Sequence, residues 1–291
     1  MCFSQVAERK REFMKVGVFD SGIGGITVLS ELRKKFGTAH YVYLGDTAHL
    51  PYGTKSPAQI ERLSIQCAKK LKKKNIDVLV VACNTASSLA LPAIQDVMKT
   101  TPVFGVVEPG IHAALNAVQQ NGIREKRDST PLLILATRAT VQSHAYGKAL
   151  HKLFPTQSDS EQASFPIIEQ ACPLLVPMIE EGWINHPILH LTVSEYVKPH
   201  LNLFPTGIAL LGCTHYPWIQ SVFEKALPNW TVVHSASAVA ELLEKSELFS
   251  SNNKIRINSN PSQRPTGEIE WIFTDPDSLP AFAKTLIQEG V

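Results

Sequence analysis

The sequence predicts an α/β protein made of two pseudo-symmetric α/β domains with mostly parallel sheets. Short, apolar, β-rich runs alternate almost throughout with longer stretches whose apolar residues recur at helical spacing. The strand-like runs are continuously apolar, as strands covered by helices on both faces must be. Two of them end alike, in a thiol followed by small polar residues: Val80-Val81-Ala82-Cys83-Asn84-Thr85 and Leu210-Leu211-Gly212-Cys213-Thr214-His215. The two halves therefore repeat one plan.

A first strand, 16–20, runs into the glycine-rich turn Ser21-Gly22-Ile23-Gly24-Gly25, which opens a helix over 25–36. The second strand, 41–44, ends at Gly45-Asp46, and Pro57 starts a helix over 57–75. That helix closes on Lys69–Lys74, five lysines around Leu71. This run could meet a nucleic acid, but it reads better as a solvated helix end, where cations suit the dipole. The strand 77–82 delivers Cys83 and leads to a helix over 85–98; a further strand follows at 103–107. In the second half, 132–136 takes the place of the first strand, so that Leu133-Ile134-Leu135-Ala136-Thr137 stands where Gly17-Val18-Phe19-Asp20-Ser21 stood. A helix over 139–153 comes next, then the strand 208–212 ending at Cys213, a helix over 217–226, and strands at 230–234 and 268–273. The stretch 250–266, rich in Ser, Asn and Pro, reads as a mobile surface loop, and 157–164 as a smaller polar insertion.

The 291 residues suit two domains or one large one. A hydrophobic content of 44% with 19% charged residues describes a globular chain with ample core. The formal net charge of +2 gives no general reason to expect a polyanion. Five cysteines (Cys2, Cys67, Cys83, Cys172, Cys213), with no CxxC pair, fit reduced thiols better than a disulfide framework. The charged stretch 8–12 precedes no apolar signal-peptide region, and no run has the length of a membrane span. The expectation is a soluble, cytoplasmic protein.

A thiol at the C-terminal end of a parallel strand points into the crevice where open α/β sheets bind ligands. The helix N-terminus beyond it favours negative charge and should lower the thiol pKa. One such cysteine suggests a nucleophile; two in matching frames suggest paired acid/base groups facing one substrate. The amides after Asp20 can hold an anion, and the spacing is neither a dinucleotide fingerprint nor a P-loop, so a substrate carboxylate is the economical ligand. The competing role for Asp20 is a helix cap; its place at a strand end favours the site. Tyr52 and the Gly53 amide could line a pocket, or Gly45–Gly53 is an ordinary turn capped by Asp46. His215 can polarise Cys213 or shuttle its proton. Zinc is disfavoured, because Cys83, Cys213 and His215 give only three ligands without structural spacing. A cysteine hydrolase needs one thiolate, not two. Cys67 reads as a core helix residue, Cys172 as packing before Pro173, and Cys2 as part of a loose terminus. Glu180 and Glu181 end the apolar run 171–179, and the residues alone favour a solvated helix end over a buried carboxylate.

Taken together the motifs resemble the glutamate racemases, within the aspartate/glutamate racemase superfamily. The matching pieces are Val18–Gly25, Asp46–Gly53, Ala82-Cys83-Asn84-Thr85-Ala86, Val107-Glu108-Pro109, Ala136–Thr140, Ala171–Gly182, Leu211–Pro217 and Phe273-Thr274-Asp275-Pro276. The resemblance implies cofactor-independent, metal-free interconversion of L- and D-glutamate, with Cys83 and Cys213 as the two bases. It implies that Asp20 assists Cys83, that His215 and Glu180 assist Cys213, and that Ser21, Asn84, Thr85 and Thr214 surround the α-amino and carboxylate groups. Tyr52 and Gly53 would sit at the pocket and favour glutamate over aspartate. The implied fold is one domain of residues 1–107 plus 235–291 and a second of 108–234, with the active site in a cleft that closes between them. The implied role is supply of D-glutamate for peptidoglycan, with glutamate as ligand, no nucleic acid and no membrane partner; a homodimer is left open. The alternatives are a racemase or isomerase for another acidic substrate, a cysteine amidohydrolase, or a binding protein that regulates a nucleic-acid enzyme through Lys69–Lys74. Three features depart from the family pattern: Trp218, where a smaller aliphatic residue is common, the length of 250–266, and residues 1–15 ahead of the family core.

Overall fold

The computed structural model describes residues 13–120, 130–153, 166–248 and 267–289. Its strands are β1 (Lys15–Asp20), β2 (His40–Gly45), β3 (Val78–Val81), β4 (Val103–Gly105), β5 (Leu132–Ala136), β6 (Ile167–Ala171), β7 (Gly207–Gly212), β8 (Trp230–His234) and β9 (Ile269–Phe273). The helices are α1 (Ile26–Lys35), α2 (Pro57–Lys72), α3 (Asn84–Leu89), α4 (Leu91–Met98), α5 (Val107–Gln120) and α6 (Arg138–Ser143). They continue with α7 (Ala145–Leu153), α8 (Leu175–Glu180), α9 (Pro187–Leu201), α10 (Gln220–Ala226), α11 (Ser235–Lys245) and α12 (Ala281–Glu289).

Two parallel sheets result, in the orders β4-β3-β1-β2-β9 and β6-β5-β7-β8. Read from the other edge, the second sheet runs β8-β7-β5-β6, which is the order β4-β3-β1-β2 with every number raised by four. The repeat expected from the cysteine frames is thus a repeat of topology: β3 and β7, which deliver the cysteines, occupy the same slot. β9 adds to β2 from Tyr41↔Ile269 to Gly45↔Phe273, so the C-terminal segment completes the first sheet.

Successive side chains of a strand face opposite ways, and each sheet is packed on both faces. Val16 and Val18 pack with α1 and α11, whereas Phe19 packs with α2 and α3. In the second sheet Leu133 and Leu135 face α8, α9 and α10, while Leu132 and Ile134 face α5 and α7. These side chains are at most 3% exposed, and each contributes roughly 1.5–3 kcal/mol by leaving water.

Several local expectations are corrected. β6 was not anticipated; Ile-Ile-Glu-Gln-Ala is a half-buried edge strand and needs no continuous apolar run. The strand expected over 103–107 stops at Gly105, and Val107 already begins α5. The helix expected over 85–98 breaks at Ala90, because Pro92 has no N–H to continue the ladder. The helix expected over 139–153 breaks at His144, which is left-handed at φ 51°. The helix expected over 217–226 opens as a tight 3-10 turn, Tyr216–Ile219, around Pro217. The lysine run does end a helix: Lys69, Lys70 and Lys72 occupy the last turn of α2, Lys72 Nζ donates to the Val97 carbonyl at 2.6 Å, and Lys74 pairs with Glu270. Cys2, the stretch 8–12 and the loops expected at 157–164 and 250–266 lie outside the described residues. Among the described residues no helix is long and apolar enough to cross a membrane.

Candidate active site

The C-terminal ends of both sheets meet at one seam. Thr214 Oγ1, just beyond β7, donates to Asp20 Oδ1 at the end of β1 (3.1 Å). Thr85 Oγ1, on α3, lies 3.0 Å from Thr137 Oγ1 beyond β5 and 3.2 Å from Thr140 Oγ1. Asn84 Nδ2 donates to the Tyr146 hydroxyl at 2.7 Å. Between these contacts lies a cavity of about 20 Å³, lined by Ser21, Tyr52, Gly53 and Cys83 from one half and by Thr137, Cys213, Thr214 and His215 from the other. The structure thus brings both cysteines to one cavity, and it brings every anticipated site residue to the seam.

Cys83 caps α3, with the Ala86 N–H donating to Sγ at 3.5 Å, and its thiol donates to Ser21 Oγ at 3.5 Å. Burial pushes the thiol up to about 12, the negative charge of Asp20 adds to this, and the Ser21 and Ala86 contacts only partly oppose it. The expectation that the helix N-terminus lowers this pKa is therefore corrected. α3 is a six-residue helix, and desolvation by burial outweighs its dipole.

Asp20 is fully buried and does not cap α1, whose cap is Gly25. Its Oδ2 accepts from the Gly22 N–H at 2.9 Å, and Oδ1 takes the Thr214 hydroxyl. Burial raises its pKa despite the opposing charge of His215 and the hydrogen bonds from Gly22, Gly25 and Thr214. Asp20 bears on Cys83 by charge, while its hydrogen bond crosses to the Cys213 side.

His215 lies 3.9 Å from Cys213 Sγ through Nδ1 and 2.5 Å from Glu180 Oε1 through Nε2. Glu180 is the last residue of α8 and faces inward, whereas Glu181 is exposed, so the geometry selects Glu180. Burial by itself would lower the imidazole pKa. The contacts with Cys213 and Glu180 reverse this and raise it well above 6.5. A histidine whose folded pKa exceeds its unfolded value contributes stability that is complete below the unfolded pKa and disappears as pH rises through the folded one. The stability gap between the parent and His215→Gln, from urea unfolding, should accordingly be full below about pH 6 and shrink as pH rises beyond about pH 6.5; a gap that widens with pH contradicts the assignment.

Tyr52 lines the cavity with its ring, while its hydroxyl donates to Asp46 Oδ2 at 2.7 Å. Asp46 also accepts from Thr274 Oγ1 at 2.8 Å and contacts His49 at 3.0 Å, so it ties the Tyr52 loop to the segment after β9 and is more than a local cap. A Cβ on Gly53 would lie 2.4 Å from Thr137 Cβ, which is why glycine stands where the loop meets the second half. Thr137 and Thr140 were not singled out in the sequence, although Thr137 occupies in the second half the place of Ser21 in the first. Cys67 and Cys172 are core thiols, as expected. Among the described residues no group of three or more His, Cys, Asp or Glu side chains is arranged to hold a metal ion.

The sequence model of the Asp/Glu/hydantoin racemases matches residues 27–173. The chain is 39% identical over 237 residues to a glutamate racemase of Persephonella marina, covering 81% of this chain and 83% of that one. It is 40% identical over 262 residues to that of Aquifex pyrophilus, covering 90% and 89%. A crystal structure of the Francisella tularensis glutamate racemase in complex with D-glutamate superposes with a TM-score of 0.78 at 29% identity, over 96% of this chain and 95% of that one.

Proposed function

The chain belongs to the glutamate racemase family, and on that premise we propose that it interconverts L- and D-glutamate by proton transfer at Cα between Cys83 and Cys213. The observation that carries this reading is a small cavity lined by one buried cysteine from each half. A thiolate on one side removes the α-proton as its S–H bond forms, and the opposite thiol gives its proton to the other face of Cα. One thiol and one thiolate remain, with their places exchanged, so the reaction balances without an oxidant or a cofactor.

An α-proton beside a carboxylate is very weakly acidic, and the site must hold the charge that develops on that carboxylate. Asn84, Thr85 and Thr214 supply amide and hydroxyl donors; removing one such donor typically costs about 2.7–4 kcal/mol of transition-state stabilisation. Asp20 and Ser21 receive the α-ammonium, whose positive charge offsets the burial that keeps Cys83 protonated. The Gly53 amide takes the side-chain carboxylate, with the Tyr52 ring lining the pocket beside it while its hydroxyl stays on Asp46. His215, held by Glu180, steadies the thiolate of Cys213 each time that sulfur has given up its proton.

A cavity of about 20 Å³ has room for about one water molecule and not for glutamate. The halves must part to admit substrate and close over it, which removes water from the reacting centre. The division that serves this motion is residues 1–107 plus 235–291 against 108–234. α11 packs in the core of the first sheet and β8 in that of the second, in keeping with a boundary near 235. The D-glutamate formed supplies peptidoglycan, and the reaction belongs in the cytoplasm, where Cys67, Cys83, Cys172 and Cys213 stay free thiols.

Polarimetry of the purified protein tests the reading. L-Glutamate and D-glutamate should each lose rotation without any added cofactor and with a chelator present, and aspartate should not. Activity that needs a metal, or a preference for aspartate, overturns it.

A further inference from the structure

His215 is held at both ring nitrogens, by Cys213 at Nδ1 and Glu180 at Nε2. Two contacts define an axis and leave the ring free to roll about it. Two neighbours block that roll. Gly24 approaches so closely that a Cβ on it would lie 2.5 Å from Nδ1. Trp218 meets the imidazole at a centroid distance of 5.6 Å and an interplanar angle of 82°. The backbone favours this second contact, since the Trp218 N–H donates to the His215 carbonyl at 3.2 Å within a tight turn.

Trp218 is braced in turn. Phe282, on α12, stands against it edge to face at 5.2 Å and 88°. Leu279 and Ala283, on either side of Phe282, are buried in the core of the first sheet. Trp218 and Phe282 are half-buried, and both pack against the cores of the two sheets. An aromatic pair therefore runs from the C-terminal helix of the first half to the histidine of the second.

We propose that Trp218 is a positioning residue for His215, and that Phe282 holds Trp218 in that position, so that α12 helps set the proton transfers at Cys213. This rests on the two-cysteine reading above. If the imidazole rolls, Nδ1 stays near Cys213 but its in-plane bonding direction, which lies off the axis, swings out of line with the sulfur while Cys83 is untouched, so one of the two transfers slows and the other does not. General loss of packing has no such asymmetry.

The test compares Trp218→Leu, Trp218→Phe and Phe282→Ala with the parent enzyme, using α-deuterated L- and D-glutamate. Trp218→Leu should lower kcat about tenfold with KM changed less than about twofold. Its α-deuterium isotope effect on kcat/KM should rise for the enantiomer that gives its proton to Cys213 and fall for the other. Trp218→Phe keeps a ring edge at the imidazole and should recover at least about half the parent kcat. Phe282→Ala keeps the Trp218 side chain but removes its brace, and should lose about threefold with the same divergence of isotope effects. Trp218→Leu within twofold of the parent, or isotope effects that keep their parent values for both enantiomers, overturns the proposal. Should Trp218→Leu give no cooperative melt, Phe282→Ala decides by the same criterion. Cys213→Ala, run alongside, separates the two levels: if it remains active the two-cysteine reading fails, and if only the Trp218 results fail the positioning role alone is lost.

Discussion

Cys83→Ala and Cys213→Ala should each reduce racemisation by about a thousandfold or more, in both directions, while the fold persists. A positioned acid or base contributes about 10²–10⁴-fold, and each turnover here needs one sulfur to take a proton and the other to give one. Both side chains are buried, at 4% and 6% exposure, and Ala fills nearly the same space, so unfolding temperatures should shift by only a few degrees on the usual scale. The loss should be equal in the two directions, because a catalyst cannot move the equilibrium between mirror-image substrates. Activity assays with both enantiomers, beside thermal unfolding, give the answer. A cysteine amidohydrolase would keep its activity without one of the two thiols. Full racemisation by either single variant removes the pairing of Cys83 with Cys213.

Gly24→Ala should cost about a hundredfold or more in kcat, although Gly24 does not react with substrate. The added methyl would lie 2.3 Å from Thr214 Oγ1, 2.5 Å from His215 Nδ1 and 2.7 Å from His215 Cε1. Neither neighbour yields cheaply: Thr214 is bound to Asp20, and His215 to Cys213 and Glu180. The strain falls on the seam and not on either core, so the halves should still fold while the imidazole and its cysteine lose alignment. Gly147→Ala is the control. Nothing lies within 4 Å of a Cβ there, and alanine in a helix should stabilise by about 0.5–1 kcal/mol without altering kcat. Parent-like turnover in Gly24→Ala would mean that the His215 contacts at the seam do not govern the rate.

The features legible in the sequence are local or periodic. β3, β5 and β7 announce themselves as apolar runs, and the matching frames of Cys83 and Cys213 disclose the repeat because equivalent slots need equivalent residues. β6 escaped, since an edge strand carrying Glu169 and Gln170 looks like a loop. The helix break at Ala90 follows from Pro92 and was readable, whereas the left-handed turn at His144 carries no such mark. The site residues at strand ends were legible for the same local reasons. Their environments were not. The helix-terminus rule sends the Cys83 pKa down, while burial sends it up to about 12. Glu180 reads as a solvated helix end until the fold sets His215 against it. Thr137 and Trp218 likewise acquire Thr85 and Phe282 as neighbours only when the two halves meet.

The most direct test of the two-cysteine mechanism is proton NMR of the enzyme with L-glutamate, and separately D-glutamate, in D2O, sampled before equilibrium. Proton removal on one face and delivery from a different thiol on the other predicts product that carries deuterium at Cα, while recovered substrate still carries protium. Product that keeps its original α-proton would mean that a single base serves both faces, and that contradicts the mechanism.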